Sequence, residues 1–157
     1  MKICEILKPE MIIPEFSGKD KETVINELID LFEGDKRIKD LSKVRNAVLE
    51  REKIMSTGVG NGFAIPHGKT PGVKEIVAAF GKTSVPMDFQ ALDGNPVNLV
   101  FLLVGKDNLV GPHIKLLSRI SRMMNKEEFR SKLAASTTSQ EIFDIFEEEE
   151  KKYIDMN

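Results

Sequence analysis

Val97 to Val104 run almost without a polar side chain. A strand that apolar cannot leave one face in water, so it belongs at the centre of a sheet covered on both sides. The surrounding segments supply the cover. Gly18 through Phe32 repeats Val24, Ile25, Leu28, Ile29 and Phe32 at the spacing of one helical face. A second helix is expected over Leu41 to Lys53, with Val44, Ala47 and Val48 inward and Asp40 or Ser42 as its cap. Pro112 suits the first turn of a third helix, striped by His113, Leu116, Leu117, Ile120 and Met124. A fourth runs from Lys126 to Ala134, and Ser139 caps a last one carrying Ile142, Phe143, Ile145 and Phe146. Shorter strands are expected at Ile12-Ile13-Pro14, Phe63-Ala64-Ile65, Ile76 to Phe80 and Val85 to Phe89, with Gly105 to Gly111 a loop. Helices set among strands in this way predict an α/β fold, a sandwich with helices on both faces of a sheet. The pattern alone does not give the strand order.

The 157 residues suffice for one domain with a sizeable core, and no repeat or linker divides them, so residues 1–157 read as a single domain. The net charge of −2 offers no broad basic field to nucleic acid, and the absence of Trp argues against base-stacking platforms. Lys115, Arg119 and Arg122 lie off the apolar stripe of their helix and read as a solvated face. Glu147 to Lys152, four acids followed by two lysines, reads as a solvated helix end with Glu147–Lys151 and Glu148–Lys152 pairs. Cys4 is the only cysteine, so no disulfide can form within the chain, and the composition suits a reducing cytoplasm. In its apolar context the thiol reads as inert. The longest apolar run, Leu99 to Val104, is far shorter than the roughly 20 residues that cross a bilayer, and no signal peptide is visible.

The chemistry is concentrated between Arg51 and Lys69, REKIMSTGVGNGFAIPHGK. His67 follows a stretch with Gly58, Gly60 and Gly62, and Arg51, Ser56 and Thr57 lie just upstream. These residue types suit a phosphoryl group. Glycines admit an anion to the backbone N–H groups, a guanidinium grips phosphate oxygens in pairs, hydroxyls donate, and a neutral imidazole is a nucleophile. The spacing matches no nucleotide loop. There is no Gly-x-x-x-x-Gly-Lys-Ser/Thr string, and Gly58 to Gly62 has neither the preceding strand nor the following helix of a dinucleotide fingerprint. Two histidines and one cysteine also fall short of a typical zinc set, so neither metal nor cofactor is expected.

Taken whole, the string resembles the active-site segment of enzyme IIA of the fructose–mannitol class of the bacterial phosphoenolpyruvate-dependent phosphotransferase system, which includes the nitrogen-regulatory IIA proteins. Arg51-Glu52, Ser56 to Gly60 and Ala64 to His67 carry the likeness. So do Asp93-Gly94-Asn95-Pro96-Val97 to Leu103 and Pro112-His113-Ile114-Lys115-Leu116-Leu117. It spans roughly residues 3 to 150. The loop Lys106 to Gly111 departs from it, where a Pro-containing turn is more usual.

The resemblance implies a three-layer α/β/α sandwich around a mixed sheet. It implies that Nε2 of His67 takes a phosphoryl group from the carrier HPr and passes it to an enzyme IIB, in fructose- or mannitol-type sugar uptake. It places His113 beside His67 as a donor to the phosphoryl oxygens, with Arg51, Thr57, Gly58 and Gly60 as further phosphate ligands. Val59 and Phe63 are candidates for an apolar rim where HPr docks. The alternative within the family is a nitrogen-regulatory IIA whose phosphorylation state controls a kinase, transporter or regulator. With no attached IIB or membrane segment in view, the chain leans toward that alternative. A hydrolase using His67 and His113 as base and acid is the rival from another class, and it would turn over a phosphoester unaided.

Overall fold

The computed structural model describes residues 1–154. A short helix α1 (Ile3–Ile6) and a 3₁₀ turn (Pro9–Met11) lead into strand β1 (Ile12–Ile13). Helices α2 (Lys21–Asp30) and α3 (Leu41–Ile54) follow, capped by Asp20 and Asp40, whose carboxylates accept from the amides of Thr23 and of Ser42 and Lys43. Then come three short strands, β2 (Gly58–Gly60), β3 (Phe63–Ala64) and β4 (His67–Lys69), and two long ones, β5 (Val77–Met87) and β6 (Val97–Gly105). Helices α4 (Val110–Met124), α5 (Glu127–Ala135) and α6 (Ser139–Ile154) complete the element order.

The sheet is mixed, in the order β1-β5-β6-β3-β2. β6 pairs antiparallel with β5 on one edge. Along its other edge it pairs in parallel, first with β3 and then with β4. β6 is central and buried almost throughout, as its composition demands. Its side chains alternate between two helical layers. Phe101 packs against Phe146 of α6, and a Cβ on Gly105 would strike His113 of α4. The opposite face lies toward α2 and α3, since Gly68, in register with Val104, backs onto Ala47 and Val48 of α3. The expected sandwich with helices on both faces is therefore what forms.

The registers carry His67 to a definite side. It pairs with Leu103, which shares a face with Phe101 and Gly105, so its imidazole is directed toward α4. Pro66 contributes to this placement. It has no N–H to give the ladder, and the chain pairs with β6 before it and again after it.

Four sequence expectations are corrected. Ile76 to Phe80 and Val85 to Phe89 are not two strands but largely one, β5, which runs through Gly81-Lys82-Thr83-Ser84. Gly81 makes room for the Phe16 ring, whose atoms come as close as 2.2 Å to where a Cβ would sit. Helix α4 begins at Val110 rather than Pro112, and Pro112 still falls in the first turn, where a missing N–H costs nothing. The acidic tail is not simply solvated, for Glu149 and Glu150 are buried. Glu150 accepts from the amides of Ile3 and Cys4 at 2.5 and 3.1 Å and pairs with Arg119 at 3.2 Å. Glu149 pairs with Lys126 and Lys152, and Glu148 with Lys151, in place of the expected four-residue pairs. Arg119 consequently is not part of a solvated basic face. Cys4 lies beside Glu150, and burial, reinforced by Glu150 and Glu147, pushes its thiol up to about 12, which suits an inert residue.

Candidate functional site

The site is a hollow of about 190 Å³ between the β2–β3 hairpin, the end of α3 and the flank of α4. Its polar lining includes Arg51, Ser56, Thr57 and His67, and its apolar lining Met55, Val59, Ile65, Leu92 and Leu117. His67 is half-buried at the start of β4. Its Nδ1 lies 2.9 Å from the carbonyl oxygen of Ile65. A carbonyl only accepts, so Nδ1 carries the proton and Nε2 keeps its lone pair. Burial lowers the His67 pKa, with the Arg51 and Lys69 cations adding to it, while the Ile65 hydrogen bond and Glu52 oppose it. The ring is therefore neutral at physiological pH, as a nitrogen nucleophile must be.

His113 stands opposite. The two imidazole centroids are 5.9 Å apart, with ring planes tilted by 53°. His113 is 2% exposed, and neither ring nitrogen has a hydrogen-bond partner. Gly105 permits this placement, since a Cβ there would lie 2.6 Å from His113 Nδ1. Polar atoms buried without partners are uncommon and costly, and they stand out in a site built for a ligand.

Burial, followed by the nearby His67 and Lys69, pushes the His113 pKa down to about 4 from an ordinary 6.5. This links stability to pH. The unfolded chain protonates His113 below 6.5 and the folded chain only near 4, so the unfolded state binds more protons in between and stability falls with pH over that window. The full difference amounts to at most about 3 kcal/mol. Lowering the pH from 7 to 4.5 should therefore lower the urea midpoint of wild type more than that of His113→Ala. A constant difference between them would contradict a buried neutral imidazole.

The other expected site residues divide into two groups. Arg51 shares the hollow with His67. One of its N–H groups donates to the Met55 carbonyl at 2.8 Å. It does not pair with Glu52, which is engaged by Lys21 at 2.9 Å. Thr57 lines the hollow, but its amide and hydroxyl both donate to Glu52. The Gly58 amide donates to Ser56 Oγ, and Gly60 sits at φ 149° where the hairpin register shifts. The glycine run thus forms a hairpin, turning through Asn61 at φ 59°, with much of its hydrogen-bonding capacity spent internally. Of the two rim candidates, Val59 is 51% exposed and Phe63 is fully buried in the core. Met55 and Leu92, also exposed, take the place of Phe63 at the rim. Glu52 escaped the sequence reading as a separate functional candidate, because its partners only become visible in three dimensions.

This arrangement has counterparts of known family. Residues 5–149 match the model described as "Phosphoenolpyruvate-dependent sugar phosphotransferase system, EIIA 2". The chain is 35% identical over 151 residues to the PTS system fructose-specific EIIABC component of Bacillus subtilis, covering 96% of this chain but only 24% of that protein. It is 36% identical over 149 residues to the nitrogen regulatory protein of Bradyrhizobium diazoefficiens, covering 92% of this chain and 94% of that one. The crystal structure of nitrogen regulatory protein IIA-Ntr from Neisseria meningitidis superposes with a TM-score of 0.85 at 33% identity, over 92% of this chain and 98% of the other. A mixed sheet between helical layers and a histidine at the start of a short strand paired with the central β6 thus occur here in a chain that belongs to the EIIA type 2 family of the phosphoenolpyruvate-dependent sugar phosphotransferase system.

Proposed function

We propose that this protein is a phosphohistidine carrier, with His67 as the phosphorylated residue. The observation that carries the reading is a neutral imidazole with Nε2 free, facing a buried imidazole that has no partner. Nε2 attacks the phosphorus of a phosphohistidine on the donor HPr. A bond from Nε2 to phosphorus forms, the donor's nitrogen–phosphorus bond breaks, and the donor imidazole leaves with the electron pair. Such transfer is mainly a matter of position and charge neutralisation. Arg51 offsets phosphate charge. His113 donates to a phosphoryl oxygen, and the arriving negative charge favours its protonated form. Thr57, Gly58 and Gly60 hold the wall around the phosphate. The exposed Val59, Met55 and Leu92 offer an apolar rim for a transient partner.

In a sugar-uptake system the acceptor is an enzyme IIB, in keeping with the EIIABC name of the Bacillus relative. The likeness to nitrogen regulatory proteins over nearly their whole length favours a second reading, in which the phosphorylation state is read by a regulated partner. The reading sets the reaction in the cytoplasm, where a chain with a single cysteine suits reducing conditions. No helix among the described residues is long and apolar enough to cross a membrane.

The test is incubation with phosphoenolpyruvate, enzyme I and HPr, followed by addition of candidate IIB proteins. Stable, stoichiometric label on the protein supports the carrier, and turnover of a phosphoester by the protein alone would favour a hydrolase. Transfer onward to a IIB cysteine separates sugar uptake from regulation. In the same assay His113→Ala should still be labelled on His67, but about a hundredfold more slowly, the scale of losing one charge-stabilising donor. Wild-type rates in that variant would remove His113 from the mechanism.

A further inference from the structure

Glu52 follows Arg51 in sequence, yet its carboxylate is 7% exposed and serves the fold beneath the site. A buried carboxylate is tolerated only when donors surround it. Here there are three: Lys21 Nζ at 2.9 Å, the Thr57 amide at 2.9 Å and the Thr57 hydroxyl at 2.5 Å. The series continues toward the reacting atom. The Thr57 carbonyl accepts the Ile65 N–H at 3.1 Å, and the Ile65 carbonyl accepts Nδ1–H of His67 at 2.9 Å. Lys21, the first residue of α2, is itself held over the ring of Phe89 at 5.3 Å.

We propose that Glu52 is a positioning residue for His67: anchored by Lys21, it holds Thr57, which holds Ile65, whose carbonyl sets the tautomer and direction of the imidazole. Helix α2, which contributes nothing to the lining of the His67 hollow, thereby takes part in presenting Nε2. Only the kinetic consequence rests on the phosphocarrier reading; the tautomer is a property of the protein alone.

Histidine-labelled protein, studied by nitrogen-15 NMR with no donor present, should show His67 as a single tautomer protonated at Nδ1. In Glu52→Gln the amide cannot accept from all three donors, and His67 should become a mixture of two tautomers. Phosphoryl acceptance at saturating HPr should fall between about tenfold and a hundredfold, the range that a displacement on the order of an ångström from productive geometry costs. The HPr concentration for half-maximal rate should not change. Lys21→Met should shift tautomer and rate in the same direction by less. A folded Glu52→Gln protein with the wild-type tautomer and rate would overturn the proposal. If that variant does not fold, wild-type behaviour of Lys21→Met overturns it instead. If wild-type protein accepts no phosphoryl group, the carrier reading fails, and the tautomer comparison still decides whether Glu52 positions His67.

Discussion

His67→Ala should take up no phosphoryl group under conditions where the wild-type protein is labelled stoichiometrically. The chain has one other imidazole, and it cannot substitute. His113 is 2% exposed, and both of its ring nitrogens are buried. A donor protein must bring its phosphorus in line with an accessible nitrogen, and among the two rings only His67 Nε2 is placed for that. The loss should therefore be complete rather than partial. The substitution should leave folding intact, since His67 is half-buried and its β4 backbone pairing with β6 does not involve the ring. The measurement is incorporation of label from phosphoenolpyruvate through enzyme I and HPr, with the label acid-labile and alkali-stable as a phosphoramidate requires. Label on the variant would place the acceptor elsewhere.

Phe146→Ala should be among the most damaging core substitutions. The ring is fully buried on α6 and meets three others, with centroids 5.1 Å from Phe80, 5.6 Å from Phe101 and 5.2 Å from Phe129. Those rings come from β5, β6 and α5, so one side chain ties two strands to two helices. Removing a buried Phe costs about 3–5 kcal/mol, through lost transfer energy and the cavity left behind. Set against a total stability of about 5–15 kcal/mol, that is a large share. Urea denaturation should show a lower midpoint with an unchanged slope. A midpoint within experimental error of wild type would mean that the four-ring cluster repacks without cost.

The features legible in the sequence were those whose causes are local. The apolar run from Val97 to Val104 announced the central strand, because burial on both faces follows from composition alone. The cap at Asp40 acts within three residues of its own position. What escaped depends on distant partners. The strand expected to end at Phe80 continues through Gly81, and the Phe16 ring that Gly81 accommodates is far away in sequence. Glu149 and Glu150 read as solvated because acids usually are, and the amides and cations that justify their burial come from α1, α4 and Lys126. At the site, His67 stood out by its neighbours in the chain. His113 was indicated by the family resemblance, since its pairing with His67 depends on strand register and on the space at Gly105. The glycine run suggested an anion cradle, and its use as a hairpin follows from tertiary pairing with β6 through β3.

The buried carboxylate of Glu150 has a consequence for how the chain is made. The two amides of α1 that it accepts lie 147 and 146 residues away. A ribosome releases α1 first and α6 last, so α1 has no acceptor for those N–H groups until nearly the whole described chain has emerged. A four-residue helix has no stability of its own. Translation thus leaves this segment loose while the sheet assembles, and α1 locks only when α6 arrives. On the finished protein, loosening α6 removes the acceptor of both α1 amides, which couples the two ends of the described chain in local opening.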